Sequence, residues 1–319
     1  MIDFSRRNIR MWSLLGPGGA LSTAAMELGR TKPEVLMMTA DLRYYSGLKR
    51  FGTLYPERLV NVGIAEQNLV GVASGLAKEG FIPFANTYAS FCASRCADQI
   101  RVNMSYMKLP VKLIGLSAGL GSGILGATHM ALEDLAVMRS LPNITVLSPA
   151  DCTEIIKAVL AASETPDPTY IRLTGSMAMP IVYSEDYDFR IGKAVEIRQG
   201  RDVCMIATGS MVYHAVRAAE LLEENGISCS VLNMHTIKPL DTEAVDAVMD
   251  RKMIVTVEEA SVLGGLGSSV AEYLALKKRN QSRGFWEFRT DSPMQETMII
   301  YLSSAGLQGN RLQRMFFQH

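Results

Sequence analysis

The chain has 319 residues, of which 48% are hydrophobic and 20% charged, and its formal net charge at pH 7 is zero. This length is typical of two domains, and the composition provides ample apolar side chains for a core. A neutral charge balance gives no electrostatic reason to expect nucleic-acid or membrane binding. The sequence shows no bilayer-spanning apolar run and no signal-peptide pattern, so we expect a cytoplasmic location.

The five cysteines are scattered along the chain. An odd, scattered set is typical of buried free thiols in a reducing compartment. Cys92 and Cys96 are one helical turn apart, but no histidine or third cysteine accompanies them, so we predict no metal site.

Strand and helix patterns alternate through residues 11–183. The candidate strands are 35–39, 59–62, 82–85, 111–116, 145–147 and 169–173. Helical patterns separate most of them, and such alternation predicts a largely parallel sheet covered by helices on both faces.

Residues 179–194, MPIVYSEDYDFRIGKA, interrupt this periodicity with Pro180 and a cluster of Ser, Asp and Glu. Beyond them a second, smaller unit follows. Its candidate strands are 203–207, 228–233 and 253–258, its candidate helices are 212–224 and 242–249, and GGLGSSVAEYLALKK opens a third helix. We therefore predict an α/β fold of two doubly wound domains, a larger one over 1–185 and a smaller one over 190–319.

Residues 58–80, RLVNVGIAEQNLVGVASGLAKEG, hold the most informative pattern. An apolar strand leads through Gly63 into a helix whose first turn contains Glu66. A helix N-terminus favours an acidic residue even when that residue has no further role. This helix also has four small residues, which predict a flat face for another backbone: Gly71, Ala73, Gly75 and Ala77.

GIAEQN followed by a small-residue helix resembles the pyrimidine-binding domain of thiamine-diphosphate enzymes of the transketolase family. ATGSMV, NMHTIKPLD and VEEASVLGGLGSSVAE resemble the family's carboxy-terminal domain, so the resemblance covers nearly the whole chain. It implies that Glu66 hydrogen-bonds the aminopyrimidine ring of thiamine diphosphate. That bond would favour the imino tautomer, whose nitrogen takes the proton from the thiazolium carbon.

In this family the cofactor's diphosphate is bound through Mg²⁺, which a GDG motif and a later asparagine hold in a separate amino-terminal domain. GDG is absent from this sequence. The resemblance therefore implies the carboxy-terminal half of a split transketolase, with no metal ligand of its own. An amino-terminal partner subunit would supply the diphosphate- and Mg²⁺-binding domain, and two such pairs would form a heterotetramer.

Three further residues acquire roles through the resemblance. His129 follows the glycine-rich AGLGSGILG at the family's THQ-like position, which implies a catalytic or substrate-binding role. Tyr88 and Phe91, in NTYASFCASRC, are implied to hold the aminopyrimidine ring, although both side chains also suit a core. Glycine loops alone are a weak phosphate signal, and we interpret GGLGSS as a tight helix entry.

The substrate-binding positions depart from the family pattern. Ser117, Leu125 and Gly175 stand where sugar-phosphate transketolases have a histidine, an aspartate and an arginine, and the family's phosphate-binding serine falls near Tyr45 or Ser46. Losing such contacts predicts weak phosphate binding and favours a donor that lacks phosphate or is held through other groups. Replacement positive charge has four candidate sources: Arg43, Lys49, Arg50 and Arg172.

We predict a transferase that moves a two-carbon ketol unit from a ketose to an aldehyde acceptor and is active only with its partner. One alternative is the β-subunit of a 2-oxoacid dehydrogenase or acyl-transferring enzyme, which the missing sugar-phosphate contacts favour. GIAEQN and THMALEDLAVMRSLPN favour transketolase. A catalytically silent interaction subunit is the third alternative, and the presence of Glu66 and His129 argues against it.

Overall fold

A computed structural model describes residues 2–175 and 177–277, together with the backbone of two strands at 284–289 and 297–302. The end of the predicted second domain, at residue 319, lies outside the described residues. Two sheets organise the chain, one of seven strands and one of six. No helix in the described ranges is both long and apolar enough to cross a membrane.

The larger sheet is parallel over six of its strands. In chain order these are β1 Val35–Thr39, β2 Leu59–Asn61, β3 Ile82–Tyr88, β4 Lys112–Ala118, β5 Thr145–Leu147 and β6 Thr169–Thr174. Their spatial order is β5-β6-β4-β3-β1-β2. All five residues of β1 are buried, as are all seven of β4, which is typical of strands covered on both faces. The predicted parallel sheet is confirmed, and all six predicted strands are present.

Helices cover both faces of this sheet. They are α1 Arg6–Thr31, α2 Lys49–Leu54, α3 Glu66–Lys78, α4 Ala89–Ala93, α5 Ala97–Gln99, α6 Asp134–Ser140 and α7 Cys152–Ala162, with a π-helix at Ile100–Tyr106. One core cluster joins α1 and α7 to one face, and another joins α3, α6 and the π-helix to the other. In α1, Gly16 interrupts the helix with φ 70°, where a side chain would collide with the Met177 carbonyl.

The second unit begins after residues 177–194, which contain no helix or strand. Its strands are β7 Val195–Arg198, β8 Val203–Ala207, β9 Cys229–Asn233, β10 Thr236–Lys238, β11 Met253–Glu258, β12 Gly284–Arg289 and β13 Thr297–Leu302. Its helices are α8 Met211–Glu224, α9 Thr242–Ala247 and α10 Leu266–Leu276. Strands β8, β9 and β11 are mutually parallel, and β7 and β13 pair antiparallel with this group.

The two units share backbone pairing and a core. Strand β10 leaves the second unit and pairs antiparallel with β5 at the edge of the larger sheet. A single cluster of buried side chains includes Leu69 and Met138 from the first unit together with Leu232 and Val270 from the second. The second unit is therefore packed firmly against one face of the first.

Candidate active site

Glu66 is the first residue of α3, just beyond the turn that leaves β2. Gly63 makes this turn with φ 76°, and its N–H donates to Asn61 Oδ1 over 3.0 Å. Only 4% of Glu66 is exposed. A buried carboxylate needs a partner to offset its lost hydration, and Arg95 Nη1 donates to Glu66 Oε1 over 2.7 Å.

Arg95 stands between Glu66 and solvent. Its guanidinium lies 3.9 Å over the Phe91 ring, while 46% of the Arg95 side chain stays exposed. This cation–π contact and the ion pair orient the guanidinium together. Among the described residues, none donates a hydrogen bond to Glu66 Oε2. One carboxylate oxygen is thus engaged and the other is available to a further donor.

Four rings form an aromatic wall beside this ion pair: Tyr45, Tyr88, Phe91 and His129. Tyr88, at the end of β3, lies 5.2 Å from Tyr45, 5.6 Å from Phe91 and 4.9 Å from His129 between ring centroids. Phe91 and His129 are 5.2 Å apart. Burial raises the pKa of the Tyr88 hydroxyl, and Tyr45 raises it further, so this phenol stays neutral. Phe91 is only half-buried, which differs from an ordinary core side chain.

His129 lies in the loop that connects β4 to α6. Gly119 and Ala131 close the base of this loop through two backbone hydrogen bonds of 2.8 and 3.1 Å. Gly123 and Gly126 have φ values of 52° and 69°, which glycine adopts without a Cβ penalty. Thr128 Oγ1 is 2.8 Å from His129 Nδ1. No described residue hydrogen-bonds Nε2, so that nitrogen is available to a substrate.

The three predicted substrate-binding positions do not share one environment. Ser117 is buried near the carboxyl end of β4, and its Oγ is hydrogen-bonded to the Tyr45 hydroxyl. Gly175 follows the neighbouring strand β6, and a Cβ on Gly121 would lie 2.8 Å from the Gly175 Cα. Leu125 is 42% exposed on the loop surface. Ser117 and Gly175 therefore lie against the loop, whereas Leu125 faces outward.

Arg172 is the one candidate cation that the structure excludes. It is 1% exposed, and its Nε donates to Asp134 Oδ2 over 2.8 Å. Burial opposes its charge, but the Asp134 carboxylate holds the pKa of Arg172 above its ordinary value. A buried guanidinium with these contacts is a structural link rather than a phosphate ligand. The suggestion that Arg172 supplies replacement positive charge for a phosphate is wrong for this reason.

The other candidate cations are near the surface. Arg43 Nη2 donates to the Tyr44 hydroxyl over 2.7 Å, and Lys49 Nζ lies 5.5 Å over the same ring. Arg50 is exposed and lines a cleft of about 830 Å³ that runs along α1 and reaches Tyr45. The cleft does not include Glu66, so it is a neighbour of the candidate site and not the site itself. In the described part of the chain, no group of three or more His, Cys, Asp and Glu residues is placed to hold a metal.

Sequence reasoning did not identify Arg95 or the Tyr45 ring contact. Arg95 is four residues after Phe91, which is a spacing of about one helical turn. The cation–π contact could therefore have been predicted from the sequence. The small-residue face was only partly correct. Gly71 and Gly75 are exposed, whereas Ala73 and Ala77 point into the core.

The candidate residues gather at one edge of the larger sheet. Glu66 follows β2, Tyr88 ends β3, Ser117 lies near the end of β4, and Gly175 follows β6. Ligands of open α/β sheets bind at the carboxyl ends of parallel strands. A buried carboxylate beside an aromatic wall at this edge, in a chain with a second α/β domain, is the arrangement that the resemblance to thiamine-diphosphate-dependent enzyme subunits predicts.

Comparison with known proteins specifies the family. Residues 18–179 match the transketolase pyrimidine binding domain and residues 192–284 match the transketolase C-terminal domain. The chain therefore belongs to the transketolase family, whose members are thiamine-diphosphate-dependent transferases.

Its relatives include components of split transketolases. The chain is 42% identical to the 6-deoxy-6-sulfo-D-fructose transketolase subunit SqwH of Clostridium sp. (strain MSTE9), over 78% of this chain and 77% of the relative. It is 40% identical to a subunit of the apulose-4-phosphate transketolase of Phocaeicola vulgatus, over 78% and 80%. These relatives identify the chain as a transketolase subunit of the split kind and do not favour the 2-oxoacid dehydrogenase alternative.

Two solved transketolase structures resemble this chain. A split-gene transketolase, in the form of an inactive beta4 tetramer, superposes with a TM-score of 0.77 at 42% identity, covering 83% of this chain and 87% of that one. The transketolase of Campylobacter jejuni has a TM-score of 0.65 at 19% identity, over 85% of this chain and 46% of that one, and shares the fold.

Proposed function

We propose that this chain is the carboxy-terminal subunit of a heteromeric transketolase that transfers a two-carbon ketol unit from a ketose to an aldehyde. The partner subunit provides the diphosphate- and Mg²⁺-binding domain, and two pairs assemble into a heterotetramer. The buried Glu66 carboxylate, with one oxygen available beside an aromatic wall, carries the proposal. Five buried free cysteines support a cytoplasmic location.

The residues at the carboxyl edge fit the cofactor's pyrimidine. An aminopyrimidine is flat and carries hydrogen-bond donors, so it needs a carboxylate and apolar ring faces, and Glu66, Tyr88 and Phe91 offer these. When bound, thiamine diphosphate supplies the carbon nucleophile that attacks the donor carbonyl. Glu66 would hydrogen-bond a ring nitrogen of the pyrimidine and would give or take the proton at that nitrogen. Tyr88 and Phe91 would exclude water, which would strengthen that bond.

His129 acts on the substrate. Its Nδ1 is engaged by Thr128, and its Nε2 can donate or accept a proton at a donor hydroxyl. The rings of Tyr88 and Phe91 orient the imidazole. We assign His129 to donor binding and proton transfer.

The donor is a ketose held without the usual phosphate contacts of the family. The Clostridium and Phocaeicola relatives are named for a sulfonated and a phosphorylated sugar, so an anionic group on the donor is also compatible with the family. In this chain the Tyr45 hydroxyl bonds Ser117, and Gly175 has no side chain to offer. Any anion would therefore be bound by Arg43, Lys49, Arg50 or the partner.

The test is reconstitution with a partner that carries GDG and a later asparagine. Calorimetry should detect weak or no thiamine diphosphate binding by this chain alone and Mg²⁺-dependent binding by the pair. The pair is then assayed with unphosphorylated, phosphorylated and sulfonated ketoses and with 2-oxoacids. Tight Mg²⁺-dependent binding by this chain alone would overturn the split arrangement. Decarboxylation of a 2-oxoacid in preference to ketol transfer would overturn the proposed reaction.

A further inference from the structure

The second domain contacts both ends of the loop that holds His129. The segment after β11 crosses the base of this loop, and it contacts the chain both before and after His129. Glu259 Oε1 accepts the N–H of Leu120 over 2.8 Å, and the N–H of Ser261 donates to the Leu132 carbonyl over 2.7 Å. Both contacts join residues more than a hundred positions apart in the sequence.

The Glu259 carboxylate fills the space beside Gly119. A Cβ on Gly119 would lie 2.5 Å from Glu259 Oε1, so the loop begins in direct contact with the carboxylate. Ser210 Oγ donates to the other oxygen, Oε2, over 2.5 Å. Ser210 precedes α8 without capping it, so its hydroxyl is not engaged in holding its own helix. The carboxyl ends of β8 and β11 thus present one oriented carboxylate to the loop.

The far side of the loop is tied to the same segment through Arg172. Its Nη2 donates to the Ala131 carbonyl over 3.2 Å and to the Glu259 carbonyl over 2.8 Å. Asp134, on α6, accepts from Arg172 Nε over 2.8 Å. Arg172 therefore connects Ala131, which follows His129, to the backbone of Glu259. The side chain of Glu259 in turn holds Leu120, which precedes His129.

We propose that Glu259 is a positioning residue through which the second domain fixes the His129 loop for reaction with the donor. Between its two ends the loop is rich in glycine, so it has many accessible conformations unless it is held. An unpaired Leu120 N–H loses a charge-assisted hydrogen bond. A displacement of about 1 Å at a reacting group can lower the rate about 10²-fold.

This inference rests on the proposed function of His129, but one of its readouts does not. In the assembled complex, amide hydrogen exchange across residues 117–132 reports the order of the loop without any substrate. Donor kinetics and deuterium exchange at the cofactor's thiazolium carbon report catalysis and cofactor activation separately.

Glu259→Ala removes the acceptor, whereas Glu259→Gln keeps a carbonyl oxygen for Leu120 and an amide for Ser210. We expect Glu259→Ala to accelerate amide exchange in the loop and to lower kcat for ketol transfer about 10²-fold, with thiazolium exchange unchanged. We expect Glu259→Gln to keep both the slow amide exchange of the loop and the kcat near their wild-type values. Ser210→Ala, which only releases the second oxygen, should give a smaller change in the same direction.

Glu272→Ala is the matched control. Glu272 also links the two domains, through two hydrogen bonds to Arg139 of 2.6 and 2.7 Å, but it does not touch the loop. Its removal should alter neither loop exchange nor kinetics. If Glu259→Ala fails to assemble, the Ser210→Ala complex carries the test and Glu259→Gln serves as its near-wild-type reference.

The outcomes separate the two proposals. Unchanged loop exchange in Glu259→Ala, or in Ser210→Ala where only that variant assembles, would overturn the positioning role. Faster loop exchange with an unchanged kcat would overturn it as well. If His129→Ala itself leaves kcat unchanged, the assigned role of His129 fails, whatever the loop exchange shows.

Discussion

Glu66 and Arg95 form an ion pair at the site where the cofactor ring would bind, with 2.7 Å between Oε1 and Nη1. Arg95 comes from the segment after α4, and its guanidinium also covers the Phe91 ring. The free chain thus satisfies its buried carboxylate with a half-exposed cation. A bound aminopyrimidine would either take the second oxygen or displace Arg95, so cofactor binding and this ion pair are linked.

Glu66→Gln should leave assembly intact and slow activation of the cofactor. An amide has the same shape as the carboxylate, but it cannot exchange the proton that tautomerisation requires. General acid–base catalysis contributes about 10²–10⁴-fold, and we expect a loss of that size. Deuterium exchange at the thiazolium carbon in the assembled complex measures it. Exchange as fast as in the wild type would mean that Glu66 only begins a helix.

Arg95→Leu should affect the free chain more than the loaded complex. Removing the guanidinium leaves a buried carboxylate without its partner, which lowers the melting temperature of the chain alone. In the complex with cofactor the aminopyrimidine supplies a donor, so the decrease in melting temperature should be smaller. Thiazolium exchange should remain near that of the wild type. Equal losses of melting temperature in both states would show that Arg95, not the cofactor, satisfies Glu66 throughout.

Much of the fold could be predicted because its strands are continuous apolar runs. β1, β5, β8 and β11 begin and end at the predicted residues. β10 was missed, because HTIKPL has no strand pattern of its own and becomes a strand only by pairing with β5 of the other domain. α1 was missed for another reason. GPGG lies in its middle, and Gly16, with φ 70°, kinks the segment against Met177 into two helical stretches that together form α1.

The sequence pattern could single out Glu66, because one residue there carries the proposed chemistry. The site was not predictable where the contact joins distant segments. The Tyr45 bond to Ser117 spans 72 positions and the Arg172 bond to the Glu259 carbonyl spans 87. Arg172 was a candidate source of replacement positive charge because IRLTGS gives no sign that its partner, Asp134, comes from α6.

Gly175→Arg should improve binding of a phosphorylated ketose at a cost in stability. A charge-assisted hydrogen bond contributes about 1.5–3 kcal/mol, so KM for that donor should fall about tenfold or more. Gly175 has φ 77°, and a side chain in this region costs about 1–2 kcal/mol. Gly175→Ala is the control, because it has the strain without the charge. Equal KM values for the two variants would contradict a phosphate-binding geometry at this position.

Breaking the Arg172–Asp134 pair should destabilise the chain severely. Both side chains are buried, with 1% and 0% exposed, and Tyr170 also donates to Asp134 over 2.8 Å. Asp134→Asn leaves a buried guanidinium unpaired and should lower the free energy of unfolding by about 3–5 kcal/mol in urea titrations. The double change Arg172→Met with Asp134→Leu should lower the free energy of unfolding by less than Asp134→Asn alone does. Glu185→Gln, which breaks an exposed pair with Arg6, should change little.

His235 should make the stability of the chain depend on pH. It lies just before β10 at the junction of the domains, with its ring 1% exposed and stacked on Phe189 at a centroid distance of 4.3 Å. Burial lowers the pKa of His235 below its ordinary value of 6.5.

The sign of the effect follows from counting protons. Below pH 6.5 the unfolded chain binds a proton at His235, while the folded chain remains neutral there until its lower pKa is reached. The unfolded state therefore binds more protons in this window, and the free energy of unfolding falls as the pH falls.

His235→Phe keeps the stacking on Phe189 and removes the titration. Urea titrations above and below pH 6.5 should show a steeper acid loss in the wild type than in His235→Phe. His214→Gln, at an exposed position on α8, should retain the wild-type slope. Parallel slopes for the wild type and His235→Phe would mean that His235 is protonated equally in the folded and unfolded states.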